Sequence, residues 1–343
     1  MFQPLLLCYA AVMSGSATEV ASAAVALARN GQVTSAYKLL QEAIRQGDPD
    51  AAAALANWRI AGDLIRRDLP QALEMFERAY ELGLPEALPP LLALLANGAG
   101  GTVDRRWADA VLRLRTCATA DPSYRRQADL LDAMRIDDGG LPLLDFPNRA
   151  LSEDPEVRYF SGFLTSDECN YVIERARPLL QPAVVVHPQT GALVPNPVRT
   201  SSAAFFPFVA EDPVLNALNN RIAAATATSY RQGEPLQVLS YLPGQQYKLH
   251  SDALPAGNQR IRTFLVYLNE DYDGGATFFP DLGLRVRGRA GDALMFVNVD
   301  RDDRAHSRAR HAGEPVTRGE KMLLSKWIRR HPLDLAGPPG RPF

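Results

Sequence analysis

The chain has 343 residues, 46% hydrophobic and 22% charged, a globular composition that excludes a disordered, collagen-like or fibrous protein. Its 37 Lys and Arg against 39 Asp and Glu leave a formal charge of −2, so no global basic field draws it to nucleic acid or an anionic membrane. Cys8, Cys117 and Cys169 are scattered, odd in number and without a C-x-x-C pair, which speaks against a disulfide framework or thiolate metal site and for a reducing, cytoplasmic setting.

Met1 to Met13 is apolar but lacks a basic flank and is too short to span a bilayer. It reads as a packed helix, with an uncleaved membrane-associated segment as the alternative, and no membrane span is expected elsewhere. Residues 17 to 135 are rich in Ala, Leu and Arg at helical spacing and repeat every 36 residues. Ala36, Ala72 and Ala108 fall in register, as do Leu40, Phe76 and Leu112, Gly47 and Gly83, and Pro49 and Pro85. Small residues at close contacts with Gly-x-Pro between helices predict stacked helix pairs, a small solenoid over residues 1–135. Residues 136–156 hold Gly139, Gly140, Pro142, Pro147 and Pro155 and read as a linker.

Residues 157–333 change grammar, and 334–343 form a tail. Thr165 and Glu168 predict a capping box opening a helix. Val184 to Val186 and Ser201 to Phe208 read as strands, and Asp212 to about Tyr230 as a second helix. From Leu236 onward short β-branched and aromatic runs alternate with Gly/Pro/Asp turns, which predicts a sandwich or barrel. The fold class is therefore α+β in two domains, a helical repeat domain and then a β domain.

His250 and Asp252 stand two apart in a strand-like stretch, so alternation places both side chains on one face. An imidazole and a carboxylate there suit adjacent positions on a divalent metal. His311, about sixty residues downstream, follows another strand pattern. Two His and one carboxylate form the facial triad of non-haem Fe(II) oxygenases, with open positions for reactants. A bare His-x-Asp is common by chance; its surroundings raise its weight here.

The strings "YLPGQQYKLHSDA", "RIRTFLVYLN", "DGGATFFP", "GDALMFVN", "RHAGEPVTRGEK" and "SKWI" follow in that order. Together they resemble the prolyl 4-hydroxylase branch of the 2-oxoglutarate and Fe(II)-dependent oxygenases over about residues 157 to 331. The resemblance implies a double-stranded β-helix, or jelly roll, with flanking helices. It implies iron ligation by His250, Asp252 and His311, which make up the catalytic centre. Lys321 matches the basic residue that meets the distal carboxylate of 2-oxoglutarate. It is one of only four lysines among 37 cations. Tyr241 and Thr277 match hydroxyls assisting that carboxylate. Tyr247, Arg260 and Trp327 match the substrate groove, with Arg262 close enough for a register slip. In the helical half, "GDPDAAAALANW" and "DLPQALEMFERAYELG" resemble Sel1-like repeats, relatives of the tetratricopeptide family.

The implied reaction is hydroxylation of an unactivated C–H, first of all in a prolyl residue of a peptide or protein. Fe(II), 2-oxoglutarate and O₂ take part, succinate and CO₂ are co-products, and ascorbate is a further family expectation. Recruitment of a protein substrate by the repeats is a partner expectation. Hydroxylation of a free amino acid or small metabolite, and a non-catalytic sensor built on the repeats, stay open as alternatives. The Pro-rich loop around His187 reads equally as a lid or as an idle loop. His306 is expected to be exposed, and Glu314 departs from the small residue of the family. From Arg301 onward ten Lys and Arg face five Asp and Glu. Either solvated barrel edges or attraction to an acidic partner accounts for that excess.

Overall fold

Residues 19–99, 106–186 and 193–337 are described by the structure, a computed structural model. The expected helix over Met1 to Met13 and the loop at His187 lie outside them. Two units emerge, one drawn from Met1–Leu141, Pro207–Ala217 and Asp334–Phe343, the other from Pro142–Phe206 and Leu218–Leu333.

The first unit is helical: α1 (Glu19–Arg29), α2 (Val33–Arg45), α3 (Pro49–Ala61), α4 (Leu69–Glu81), α5 (Leu88–Asn97), α6 (Trp107–Ala118) and α7 (Pro122–Ala133). Its starts follow from capping chemistry. Asp48, Asp68 and Asp121 accept the backbone N–H of Ala51, Gln71 and Ser123 at 3.1, 2.9 and 2.7 Å, with proline in the first turn of each helix. Gly47 and Gly83, which follow α2 and α4, take φ of +90° and +96°, where a side chain is strained. Consecutive helices pack on each other, and Ala24, Ala36, Leu40, Ala51 and Leu55 share one core. Small side chains let the helices approach closely.

The 36-residue register holds once and then slips. Ala36, Leu40, Ala72 and Phe76 are buried as expected, but Leu112 is 67% exposed. Ala110 and Leu114 are fully buried in place of Ala108 and Leu112. The apolar stripe of α6 is thus two residues further on. Residues 334–337, expected as a tail, are held within this unit: the Arg67 guanidinium donates to the carbonyls of Gly337 and Ala336 at 2.5 and 3.2 Å.

The second unit begins with β1 (Arg149–Glu153) and β2 (Glu156–Phe160), then α8 (Ser166–Ala176), β3 (Gln181–Pro182), β4 (Val184–Val186), β5 (Leu193–Pro195) and β6 (Ser202–Phe206). β1 lies inside the segment read as a linker; its backbone pairs antiparallel with β2 despite the Pro-rich surroundings. The Thr165 capping box is present, with Thr165 Oγ1 accepting from Glu168 N and Glu168 Oε2 from Thr165 N. Glu168 also takes a two-point bond from buried Arg221, at 2.6 and 2.8 Å. Arg221 belongs to α9 (Pro213–Ala225), which stops about five residues before the expected end. Ala227 there has a φ of +50°.

Strands β7 (Leu236–Tyr241), β8 (Tyr247–His250), β9 (Arg260–Tyr267), β10 (Tyr272–Gly274) and β11 (Thr277–Phe279) come next. Then follow β12 (Leu284–Val286), β13 (Ala293–Val297), β14 (His311–Gly313), β15 (Val316–Gly319) and β16 (Lys321–Arg329). An eight-stranded sheet runs β1-β2-β13-β9-β16-β7-β6-β3, and a four-stranded sheet β12-β11-β14-β8. All pairs are antiparallel. Both sheets feed one core that includes Leu239, Leu265, Tyr267, Phe279, Phe296 and Leu323. This is the expected jelly-roll sandwich, and with the helical unit it makes the chain α+β.

The observed register of α6 predicts that Leu114→Ala costs about 2–5 kcal/mol of stability, whereas Leu112→Ala stays within about 0.5 kcal/mol. Urea unfolding of both variants checks this, and equal costs would restore the strict 36-residue repeat.

Candidate active site

β8 and β14 are neighbours in the smaller sheet, and His250 and His311 sit directly opposite each other in their register. Their rings lie 4.3 Å apart between centroids. β8 ends at His250, so Asp252 is not on the strand as alternation supposed. It lies just beyond, where Thr263 of β9 in the other sheet donates to Oδ2 at 2.6 Å. Asp252 Oδ1 is 3.5 Å from His250 Nε2, and Oδ2 is 3.6 Å from His311 Nε2. One ligand atom from each residue falls within 4.8 Å of the others.

The tautomers follow from local bonds. His250 Nδ1 faces Lys248 O at 2.7 Å and His311 Nδ1 faces Ala309 O at 3.1 Å. A carbonyl only accepts, so each Nδ1 carries the proton and each Nε2 presents a lone pair to Asp252. His250 Nε2 is buried and has no hydrogen-bond partner among the described residues. Burial pushes the His311 pKa down to about 4, against the pull of Asp252, so the ring is neutral at pH 7. Burial also works to raise the Asp252 carboxyl, but the imidazoles of His250 and His311 beside it and the hydrogen bond from Thr263 outweigh burial and hold it well below the usual range. Two imidazoles and a carboxylate are an oxygen- and nitrogen-donor set that fits a divalent iron-type cation. The rings are braced: Tyr247 stacks on His250 at 3.5 Å, and Phe296 meets His311 edge-on at 4.5 Å.

A cavity opens from this cluster, lined by Tyr241, Thr277, Lys321, Trp327 and the leucines 239, 265 and 323 among others. Lys321 opens β16 directly across from Tyr241 on β7. It is buried and donates to Gly275 O at 2.7 Å, with the Tyr241 and Tyr267 rings 5.5 and 5.7 Å from Nζ. Among the described residues no carboxylate pairs with it. Burial, followed by the field of Arg287, lowers its pKa to about 8. Gly275 has a φ of +64°, and a Cβ there would press on Val316, Lys321 and Tyr272 at 3.1–3.3 Å. Burial raises the Tyr241 phenol, so it stays protonated and able to donate. Thr277 Oγ1 lies 3.2 Å from the Tyr267 hydroxyl.

Tyr247 and Trp327 are half-buried and line the cavity; Arg260, expected with them, is half-buried beside Trp327 and is not among the lining residues. Arg260 stacks on Trp327 at 3.6 Å and forks onto the Glu234 carboxylate at 2.6 and 2.9 Å. Trp327 Nε1 is buried with no partner among the described residues. Sequence reasoning missed Tyr267, Thr263 and Asn298, which look like ordinary strand residues until the sheets close. His306, expected exposed, is half-buried and meets Asp154 Oδ1 at 3.0 Å. Glu314 pairs with Arg285. The basic C-terminal stretch is largely neutralised: Arg304, Arg308, Arg310, Arg318, Arg329 and Arg330 each meet a carboxylate. That pattern fits solvated sheet edges.

Residues 236–329 match the family model of the 2OG-Fe(II) oxygenase superfamily. Prolyl 4-hydroxylase 1 of Arabidopsis thaliana is 36% identical over 200 residues, covering 52% of this chain and 71% of that protein. Probable prolyl 4-hydroxylase 10 of the same plant is 34% identical over 206 residues, with 53% and 71% covered. Among solved structures, the viral collagen prolyl hydroxylase of Paramecium Bursaria Chlorella virus-1 in its 2OG complex is 28% identical, with 50% and 95% covered and a TM-score of 0.41.

The ligand geometry predicts that a divalent cation stabilises the chain by about 2.7 kcal/mol at a hundred times its Kd. Thermal unfolding with and without Co(II) reads this directly. The gain should vanish in Asp252→Ala; its persistence there would place the cation elsewhere.

Proposed function

Because the chain belongs to the 2OG-Fe(II) oxygenase superfamily, we propose that it hydroxylates a prolyl residue of a peptide or protein, with iron held by His250, Asp252 and His311. One observation carries the reading: a buried His250 Nε2 without a hydrogen-bond partner among the described residues faces a carboxylate and the imidazole of His311. Iron bound there supplies O₂ activation coupled to oxidative decarboxylation of 2-oxoglutarate to succinate and CO₂, and thereby hydroxylation of an unactivated C–H. The chain's own residues supply binding, orientation and dryness.

Lys321 receives the distal carboxylate of 2-oxoglutarate. A dianion in an apolar cavity needs a cation at its far end, and Lys321 needs an anion for the same reason. Tyr241 and Thr277 add hydroxyl donors to that carboxylate. Leu239, Leu265 and Leu323 line the cavity and exclude water from it. At the rim, Tyr247 and Trp327 offer flat aromatic faces to a prolyl ring, and Arg260 is held over Trp327 by Glu234. The names of the curated relatives support proline as the target. The helical unit, as a stack of hairpins with extended surface, suits recruitment of a protein substrate. The unpaired Cys117 and Cys169 suit a reducing, cytoplasmic location.

With Fe(II), 2-oxoglutarate, O₂ and proline-rich peptides, the protein should form succinate in proportion to peptide and add one oxygen to proline by mass spectrometry. Succinate stimulated only by free amino acids would overturn the peptide assignment. His250→Ala should lose at least about a thousandfold in kcat/KM, and Lys321→Ala should raise KM for 2-oxoglutarate about a hundredfold.

A pH dependence follows from Lys321. Its protonated form binds the carboxylate, and that form is lost as pH rises through about 8. KM for 2-oxoglutarate should therefore rise about tenfold between pH 7 and pH 9. Lys321→Arg, charged throughout, should show a flat profile; a wild-type profile that is also flat would remove Lys321 from this role.

A further inference from the structure

Resting on the iron reading above, we infer that the Asn298 side chain is a positioning residue for the metal ligand Asp252. It acts through Thr263, while the backbone carbonyl of the same residue anchors the segment 298–311 that leads to His311.

The first branch follows from donor and acceptor counting. Thr263 Oγ1 lies 2.6 Å from Asp252 Oδ2 and 2.9 Å from Asn298 Nδ2. A carboxylate can only accept, so the single hydroxyl proton of Thr263 goes to Asp252. Its remaining lone pair then needs a donor, which the Asn298 amide supplies. All three side chains are buried, so water does not scramble the order. Asn298 is pinned in turn, because its backbone N–H donates to Ile261 O at 3.0 Å. Asp252, which has no strand to fix it, thus takes its direction from a threonine in the opposite sheet.

The second branch runs along the main chain. Asn298 O accepts from His306 N at 2.9 Å, and His306 O accepts from Ala309 N at 3.0 Å. Ala309 O is the acceptor that orients the His311 ring. From outside, Asp154 grips the same segment: its Oδ1 meets His306 Nε2, and its backbone O accepts from Arg308 at 2.8 Å. Only the path to Asp252 uses the asparagine side chain; the path to His311 is main-chain and would survive its replacement. Asn298 Oδ1 is buried with no partner among the described residues. A side chain chosen for stability alone would not leave a carbonyl so, which fits a residue kept for the direction of its amide.

The test is anaerobic Co(II) titration of the full chain, following the d–d spectrum and Kd, with metal-free thermal unfolding as the check on folding. Thr263→Val and Asn298→Ala should bind Co(II) about 10- to 100-fold more weakly, with altered d–d bands. Thr263→Ser, which keeps the hydroxyl, should match wild type. Asn298→Asp, which keeps the shape but replaces the donor with an acceptor, should weaken binding as Asn298→Ala does, so either asparagine variant suffices if the other fails to fold. Wild-type Kd and spectrum in folded Thr263→Val and Asn298 variants would overturn the inference. So would a Thr263→Ser variant as weak as Thr263→Val. A wild-type chain that binds no Co(II) would instead sink the iron reading itself, and this inference with it.

Discussion

The site is built around one buried carboxylate that no cationic side chain meets among the described residues. Asp252 is about 5% exposed, and its ion-pairing partners among the described residues are two imidazoles, no guanidinium or ammonium. With His311 neutral at pH 7 and one proton from Thr263, the carboxylate is hydrogen-bonded but not neutralised. Held in the ionised form, it converges with two imidazole nitrogens on one point, with no guanidinium or ammonium to compete, and that arrangement favours a cation.

The opposite end of the cavity carries the complementary problem. Lys321 is a buried ammonium with a single carbonyl partner and two aromatic neighbours, and its depressed pKa measures how much it lacks an anion. A carboxylate that meets no cationic side chain and an ammonium that meets no carboxylate, among the described residues, thus face one cavity. A molecule with a carboxylate at one end and metal-chelating oxygens at the other satisfies both. The sheet pairing sets their placement: Lys321 is fixed across from Tyr241, and His250 across from His311, by backbone register. Such positions vary less than side chains carried on loops.

Much of this was legible in the chain itself, because the residues with chemistry are rare types at short spacings. His250 and Asp252 are two apart, and Lys321 is a lysine in a chain that otherwise favours arginine. The Thr165 capping box was readable for the same reason, since both partners lie within one turn. Thr263 and Asn298 were not readable: one is a common strand residue and the other lies just past the end of β13, and they are brought together only by the β9–β13 pairing that sets Thr263 opposite Phe296. The repeat register failed at α6 because a period counts residues, whereas burial follows the helix face. Two extra residues before α6 leave its helical character intact and rotate its stripe to Trp107, Ala110 and Leu114. β1 was hidden for a related reason, since a short edge strand in a Pro-rich stretch has no periodicity of its own.

The rim obeys a different constraint from the interior. Tyr247 has one face committed to the His250 ring, so a change there disturbs a ligand as well as any substrate contact. Arg260 is likewise committed twice, to Glu234 by two hydrogen bonds and to Trp327 by stacking. A guanidinium already forked onto a carboxylate has little left for a second carboxylate. It keeps an exposed face and an N–H edge suited to neutral carbonyls. Trp327 Nε1, by contrast, is buried and not offered to solvent. The aromatic rings and the guanidinium at this entrance are thus largely engaged with each other and with the ligand cluster, which holds the approach to His250 in one arrangement.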